Sequence, residues 1–459
     1  GNDGFYFGGA YTSADVVDGG AGNRDQIGLQ GDYSGGVTLG SITGVEMIVL
    51  LAGSDTRFGD NGGNFYSYDI TSPDSAVAAG QRLIIQANVL RAGESLTFDG
   101  SAETDGHFLI YGGLGTDILT GGAGDDGFFF GQGRFNAGDI VDGGAGNMDQ
   151  LGLQGDYSGP NALTFGANQL TGIEYIVLLS ASDDRFGANG GTVSYQLTMD
   201  DGNVAAGQRM IISATTLTPS ESMYFDGSAE TDGSFAIYAG RCHDFILGSQ
   251  NADLIYGGSG DDIIIGNGGA DILYGGTGAS TFGYFEASDS TSAERDQIRD
   301  FKSGDLIDLS VLAFNNGFGN FTFIGGGAQS GAQQLQVIQT GNNATVNIFI
   351  DGDAIADLVI DVTVADGHTL TDADFTNVIL PSPQAPLNKS GVADTLLVMR
   401  DLPDPDVLTL DLGDTAGAPA GTGAGRGVLI RSDLYDGHPI EFVSLPETTY
   451  VAPTNDLVL

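Results

Sequence analysis

The sequence predicts an all-β fold: an elongated solenoid of short parallel strands with a β-rich cap toward its C-terminal end. Three observations predict it. Residues 239–283 read as five tandem nonapeptides, AGRCHDFIL, GSQNADLIY, GGSGDDIII, GNGGADILY and GGTGASTFG. Residues from 1 to 111 return as residues 124 to 238 with small insertions. The composition combines 76 glycines with 41% apolar residues, and no long stretch carries a 3.6-residue apolar period. Many short strands joined by tight turns satisfy all three.

The nonapeptide G-G-x-G-x-D-x-U-x, with U a large apolar residue, divides by physics into two parts. Its first six residues are turn chemistry, glycines for positive φ and an Asp that closes the loop. Its last three are a strand, with Ile246, Ile255, Ile264, Leu273 and Phe282 inward. Three residues cannot hold a strand alone, so successive turns must stack and share one core.

Residues 1–111 form the first duplicated unit. Gly1-Asn2-Asp3-Gly4-Phe5 read as the second half of a nonapeptide, from which we expect that more chain precedes them. Residues 112–129 hold two further copies, GGLGTDILT and GGAGDDGFF, which join the units. In the second unit, 130–238, VVDGGAGNRDQIGLQGDYSGG (16–36) recurs as IVDGGAGNMDQLGLQGDYSGP (140–160), and FDGSAETDGHFLIYGG (98–113) as FDGSAETDGSFAIYAG (225–240). Short β-rich runs bounded by Gly, Asp, Asn and Ser make each unit a parallel β-helix with longer rungs. Short helical turns are expected near 76–79 and 203–206. The regular run 239–283 follows, then a region of different character at 284–380. Residues 381–459 open on the Pro-rich PSPQAP and carry β-like runs of unassigned fold.

Charge narrows the partners. Fifteen Lys and Arg against 60 Asp and Glu give −45, which disfavours nucleic acid and anionic membrane surfaces and makes divalent cations the natural counterions. No apolar run reaches membrane-spanning length, and the first residues show no signal-sequence pattern. The single cysteine, Cys242, excludes internal disulfides and occupies a glycine position of its repeat.

The five in-register copies resemble the repeats-in-toxin (RTX) β-roll. That resemblance implies a right-handed solenoid with two nonapeptides per turn and Ca²⁺ between loops two repeats apart. One loop would give the carbonyls of its positions 1 and 3 with its Asp, the other the carbonyls of positions 2 and 4 with its own Asp. Carried onto this chain, one site takes Ala239, Arg241 and Asp244 with Gly258, Gly260 and Asp262. A second takes Gly248, Gln250 and Asp253 with Asn267, Gly269 and Asp271. A third takes Gly257, Ser259 and Asp262 with Gly276 and Gly278, and is weaker because Ser280 replaces the Asp. Asp126 with Asp149, and Asp3 with Asp25, read as further pairs across one long rung, while Asp117 requires a partner from another rung. Asp351-x-Asp353 with Asp357 lacks the Gly and Glu of an EF-hand loop and reads as a hairpin turn.

Residues 281–312, TFGYFEASDSTSAERDQIRDFKSGDLIDLSVL, resemble the C-terminal domain of serralysin-type metalloproteases. The resemblance implies a cap on the roll and recognition by a type I secretion apparatus. The chain departs from that pattern in a shortened link between Gly304 and Ile307 and in continuing past residue 380.

Four scattered histidines (His107, His243, His368, His438), no H-E-x-x-H and no G-x-S-x-G leave no catalytic constellation to name. The expectation is a non-enzymatic, secreted bacterial protein, extracellular or at the cell surface, that folds on Ca²⁺ and serves as surface layer, filament, matrix or adhesin stalk by self-assembly. The alternative is the non-catalytic C-terminal region of a type I-secreted protease, lipase or polysaccharide-acting enzyme.

Overall fold

A strand of three to six residues buries its inward side chains only against the rungs above and below, and the chain meets this need by alternating between two faces. The computed structural model describes residues 1–59, 62–183 and 191–379, with the backbone of 408–409 and 429–430. Two compact units divide the chain, Gly1–Leu396 and Leu397–Leu459. Of the second, the description covers one antiparallel pair, Leu408–Thr409 with Leu429–Ile430; the rest of the extension at 381–459 lies outside the described residues.

In the first unit one face is an unbroken parallel column. It begins at Gly4–Gly8, Gln26–Leu29 and Met47–Leu50, runs through both duplicated halves, and ends at Leu254–Tyr256, Ile272–Tyr274 and Asp296–Phe301. The second face is built in three shorter parallel stacks. These are the pair Val16–Asp18 with Ser41–Thr43, a six-stranded sheet from Tyr33–Thr38 to Leu170–Thr171, and a seven-stranded sheet from Leu163–Thr164 to Leu306–Asp308. Each half of the duplication opens a new stack, at Tyr33 and again near Tyr157. Buried tyrosines close these changeovers: Tyr68 Oη donates to the carbonyls of Leu29 and Leu51 (3.1 and 2.6 Å), and Tyr195 Oη to those of Leu153 and Leu179 (3.1 and 2.6 Å). A buried hydroxyl needs such a partner, and carbonyls of the continuous column supply it, Leu29 O also accepting the Leu51 N–H (2.9 Å).

The nonapeptides obey the two-per-turn pattern. Phe245–Leu247, Ile263–Ile265 and Thr281–Gly283 stack on one face, Leu254–Tyr256 and Ile272–Tyr274 on the other. Ile246, Ile255, Ile264, Leu273 and Phe282 all point inward and are at most 1% exposed. They belong to a single apolar core that extends from Tyr11 to Phe375.

Beyond the roll, Asp296–Phe301 pairs in parallel with Leu358–Val364, which continues antiparallel through Asn343–Phe349 and Gln334–Thr340. The turn between Asn343–Phe349 and Leu358–Val364 carries Asp351, Asp353 and Asp357, and Asp357 Oδ2 accepts the Ile350 N–H (2.7 Å). Ser310–Asn315 is the one α-helix among the described residues. The expected helical turns are 3₁₀ turns at Asp74–Ala76 and Asp201–Asn203.

Candidate metal centres

The loop aspartates are buried and stacked. Asp25, Asp117, Asp149 and Asp271 are 0% exposed, and Asp126, Asp244, Asp253 and Asp262 no more than 3%. Each stack is held by one repeated bond, in which the backbone N–H of one rung donates to the carboxylate of the next. On one side of the solenoid Asp3 donates to Asp25 (2.5 Å) and Asp25 to Glu46 (2.8 Å); Phe108 donates to Asp126 (2.5 Å), Asp126 to Asp149 (2.6 Å) and Asp149 to Glu174 (2.9 Å). Farther along, Phe235 donates to Asp253 (2.6 Å), Asp253 to Asp271 (2.8 Å) and Asp271 to Asp296 (3.0 Å). The other side repeats the arrangement, Leu96 to Asp117 (2.8 Å), Asp117 to Asp139 (2.7 Å), Met223 to Asp244 (2.7 Å), Asp244 to Asp262 (3.0 Å) and Ser280 to Asp305 (2.9 Å).

The pairs Asp244 with Asp262, Asp253 with Asp271 and Asp126 with Asp149 are therefore brought together, whereas Asp3 meets Asp25 only through its backbone N–H and its own carboxylate is exposed. Asp117 finds its partner in Asp139. Sequence reading missed Asp139, Glu46, Glu174, Asp296 and Asp305. All but the glutamates precede a strand as D-x-U, the last half of the nonapeptide without its glycines; the glutamates occupy equivalent positions in the two halves, TGVEMIVL and TGIEYIVL.

Among the described residues, five buried aspartate oxygens of these columns meet no hydrogen-bond donor: Oδ2 of Asp25, Asp149, Asp262, Asp271 and Asp296. Carbonyl oxygens converge on the same loops. A Cβ placed on Gly257 would lie 2.6 Å from Asp262 Oδ2 and 3.0 Å from the Gly275 oxygen; one on Gly22 would lie 2.3 Å from Asp25 Oδ2 and 2.2 Å from the Gly1 oxygen. Unpartnered carboxylate oxygens beside main-chain carbonyls form the hard, all-oxygen donor set that Ca²⁺ takes, and these residues fit it.

The loops are not equivalent. Positive φ occurs at both turn positions of the last three repeats, at Gly258 and Gly260, Asn267 and Gly269, and Gly276 and Gly278, but at none of the corresponding residues of the first two. Cys242 and Asn251 stand there in place of glycine, and L-residues resist that region. The repeat at 248 is closed by side chains instead. Ser249 Oγ donates to the Asn251 carbonyl (3.0 Å), Asn251 Nδ2 to the Thr231 carbonyl (2.8 Å), and Asn267 Nδ2 to the Gly248 carbonyl (2.7 Å). Asp253 already accepts from Phe235 on Oδ1 and from the Ser249 N–H on Oδ2 (2.5 Å). The two sites of the regular run are alike in their carboxylates: Asp244 and Asp253 accept on both oxygens, whereas Asp262 and Asp271 each keep Oδ2 unpartnered. At the third site Ser280 brings no carboxylate, and its Oγ instead donates to the Gly275 carbonyl of its own repeat (3.1 Å).

Burial is the largest influence on these groups, opposed by main-chain hydrogen bonds and reinforced at Asp126, Asp149 and Asp262 by neighbouring carboxylates. It pushes Asp117 and Asp126 up to about 6, Asp149, Asp244 and Asp253 to about 7 and Asp262 to about 8. Asp271 and Asp296 are raised well above the carboxylate range by burial first; the charges of Asp296 and Asp253 add to this at Asp271, and those of Asp289 and Asp253 at Asp296. Lys302 supplies a cation where the second column ends, its Nζ 2.9 Å from Asp305. Burial also raises the Cys242 thiol, and His243 is exposed with its Nδ1 accepting the Asp261 N–H (2.8 Å).

Comparison with known proteins adds two family matches. Residues 247–377 match the family described as Peptidase M10 serralysin C terminal, and residues 109–134 the family described as RTX calcium-binding nonapeptide repeat (4 copies). No curated protein matches. Among solved structures, the solution structure of the AlgE6R3 subunit from the Azotobacter vinelandii mannuronan C5-epimerase is 19% identical, with 45% of this chain and 98% of that one covered at a TM-score of 0.22. The chain carries calcium-binding RTX repeats and a serralysin-type C-terminal domain, a combination typical of type I-secreted bacterial proteins.

Proposed function

We propose that this protein is a secreted solenoid that Ca²⁺ folds outside the cell and whose role is structural, as surface layer, filament, matrix or adhesin stalk. The observation that carries the reading is the stacking of buried carboxylates from the first rung into the cap, with unpartnered oxygens recurring along the way. At cytosolic Ca²⁺ those carboxylates oppose stacking, and with a net charge of −45 the chain stays extended enough for a type I secretion apparatus. Outside, at about 1 mM Ca²⁺ and a site affinity on the order of 10⁻⁴ M, each site adds about 1.4 kcal/mol by linkage. A single apolar core runs through the stacked rungs from Tyr11 to Phe375, and such nearest-neighbour stacking suits repetitive assembly. Circular dichroism with Ca²⁺ and with EDTA tests the folding half, and an EDTA form already rich in β structure would sink it. Light scattering and electron microscopy on adding Ca²⁺ test the assembly half, where a chain that stays monomeric counts against a lattice or filament.

The match of 247–377 to a peptidase family's C-terminal region favours a second reading, in which this is the non-catalytic portion of a type I-secreted enzyme. The intact mass of the natural protein separates the two. Room for a catalytic domain outside these 459 residues supports the second reading.

A further inference from the structure

Two places in the fold gather carboxylates that the nonapeptide columns do not use. In the first duplicated half Asp74, Glu103 and Asp105 each present an oxygen within 4.8 Å of the others, and in the second Asp201, Glu230 and Asp232 do the same. Every member is shifted by the same number of positions, so the duplication built the cluster twice although the neighbouring residues differ, Ser75-Ala76 in one half and Gly202-Asn203 in the other.

The buried member of each triad decides what the cluster is for. Glu103 and Glu230 are 0% exposed. On both, Oε1 accepts main-chain N–H groups, with Gly106 and Gly233 each at 2.7 Å, while Oε2 is shut away from solvent and meets no donor. A carboxylate oxygen stripped of water is retained only where something positive answers it, and no ion pair among the described residues reaches any of the six acids. The outer wall is held in place from the loop itself: Thr104 donates through N–H and Oγ1 to Asp74 Oδ1 (3.0 and 2.6 Å), and Thr231 likewise to Asp201 Oδ1 (2.7 and 2.6 Å).

We propose that these triads are two equivalent divalent-cation sites, with an all-oxygen donor set suited to Ca²⁺, additional to the nonapeptide pairs, with Glu103 near enough for its charge to bear on Asp126 of the adjoining pair. Asp74 and Asp201 open the 3₁₀ turns Asp74–Ala76 and Asp201–Asn203, whereas the Glu and second Asp come from a loop about one rung later. An ion held there staples the turn of one rung to the loop of the next, at the place where the regular G-G-x-G-x-D pattern is missing from the rung.

The test counts ions on the full chain, by equilibrium dialysis against sub-millimolar Ca²⁺ with atomic absorption readout. The double variant Glu103→Gln/Glu230→Gln keeps the side-chain shape and the Oε1 acceptor, and binds two fewer Ca²⁺ per chain than the parent, one for each triad. Asp105→Asn/Asp232→Asn alters exposed side chains only and shows the same loss with an unchanged circular dichroism spectrum. An unchanged ion count in the second variant overturns the proposal, whether or not the first variant folds.

Discussion

Asp262 is the residue at which folding without Ca²⁺ and folding with it make opposite demands. Its carboxylate is 1% exposed, accepts one main-chain N–H and leaves Oδ2 unpartnered. Burial raises its pKa from 3.8 to about 8. At pH 7 the folded, cation-free chain must therefore take up a proton that the unfolded chain does not hold, at a cost of about 4 kcal/mol. Asp262→Asn keeps the shape and the acceptor for Asp244 N–H but removes that cost. In EDTA the variant should gain up to about 4 kcal/mol, read as a lower concentration of trimethylamine N-oxide needed to fold half the chain. In Ca²⁺ it should lose a site, so the stability increment between EDTA and about 1 mM Ca²⁺ shrinks by about 1.4 kcal/mol for each site lost. The aspartate thus makes folding conditional, and its amide makes folding less dependent on the ion. A variant no more stable than the parent in EDTA would refute the electrostatic account, and an undiminished Ca²⁺ increment would remove Asp262 from the ligands.

Three further outcomes follow from particular contacts. The raised values of Asp117, Asp126, Asp149, Asp244 and Asp262, from about 6 to about 8, mean that the cation-free fold binds more protons than the unfolded chain. Its stability is thus fully present below the unfolded pKa near 4 and lost as pH rises through 6 to 8. In EDTA, β structure by circular dichroism should appear on acidification from pH 8 to pH 5, and a cation-free fold that weakens over that range contradicts the assignment. Ile264→Ala, at 0% exposure between Ile246 and Phe282, should cost about 2–5 kcal/mol in Ca²⁺ melts, whereas half-buried Ile263→Ala should cost about 1 kcal/mol or less. Gly260→Ala forces a Cβ to 2.2 Å from the Cys242 carbonyl oxygen at φ +131°, while Gly133→Ala at φ +64° meets nothing within 4 Å. The first should lower the melting temperature well beyond the roughly 1–2 kcal/mol of backbone strain expected for the second.

The repeats were legible because both of their halves carry local physics. Glycine at the turn and an apolar residue two places after the Asp fix a loop and a strand, and the alternation of Ile246, Ile255 and Ile264 between faces then follows from strand length alone. The pairing of Asp244 with Asp262 was legible for the same reason. What the sequence hid is long-range. Nothing near Tyr33 or Tyr157 announces that the second face restarts there, because the cause is a sheet break answered by Tyr68 and Tyr195 from other rungs. Glu46 and Glu174 were overlooked because they reach the column through one more methylene, from loops with no G-G-x-G. The closure of the 248 loop by Ser249 and Asn251 depends on rotamers that no spacing encodes. Glu103 and Glu230 read as ordinary loop acids until the fold shows them wholly buried.

The cap is part of the charge arrangement and not only a lid over the apolar core. Asp296 accepts from Asp271 and Asp305 from Ser280, so each acidic column gains its last member from the serralysin-type domain. The two columns end differently. Asp305 meets Lys302, one of two lysines in the chain, so that column carries its own counterion at the boundary. Asp296 lies beside buried Asp271 and the fully buried Tyr284, whose hydroxyl is held well above the usual tyrosine range by burial first and by the charge of Asp296 next. In a solenoid where each rung is stabilised by its neighbours, the terminal rung sets how easily the stack starts. The Lys302 end carries its own cation; at the Asp296 end Asp271 and Asp296 are both raised well above the carboxylate range, so without a divalent ion that end closes only with protons bound. The cap strand Asp296–Phe301, which pairs in parallel with Leu358–Val364, thereby shares the charge requirement of the roll, a divalent cation or protons at Asp271 and Asp296.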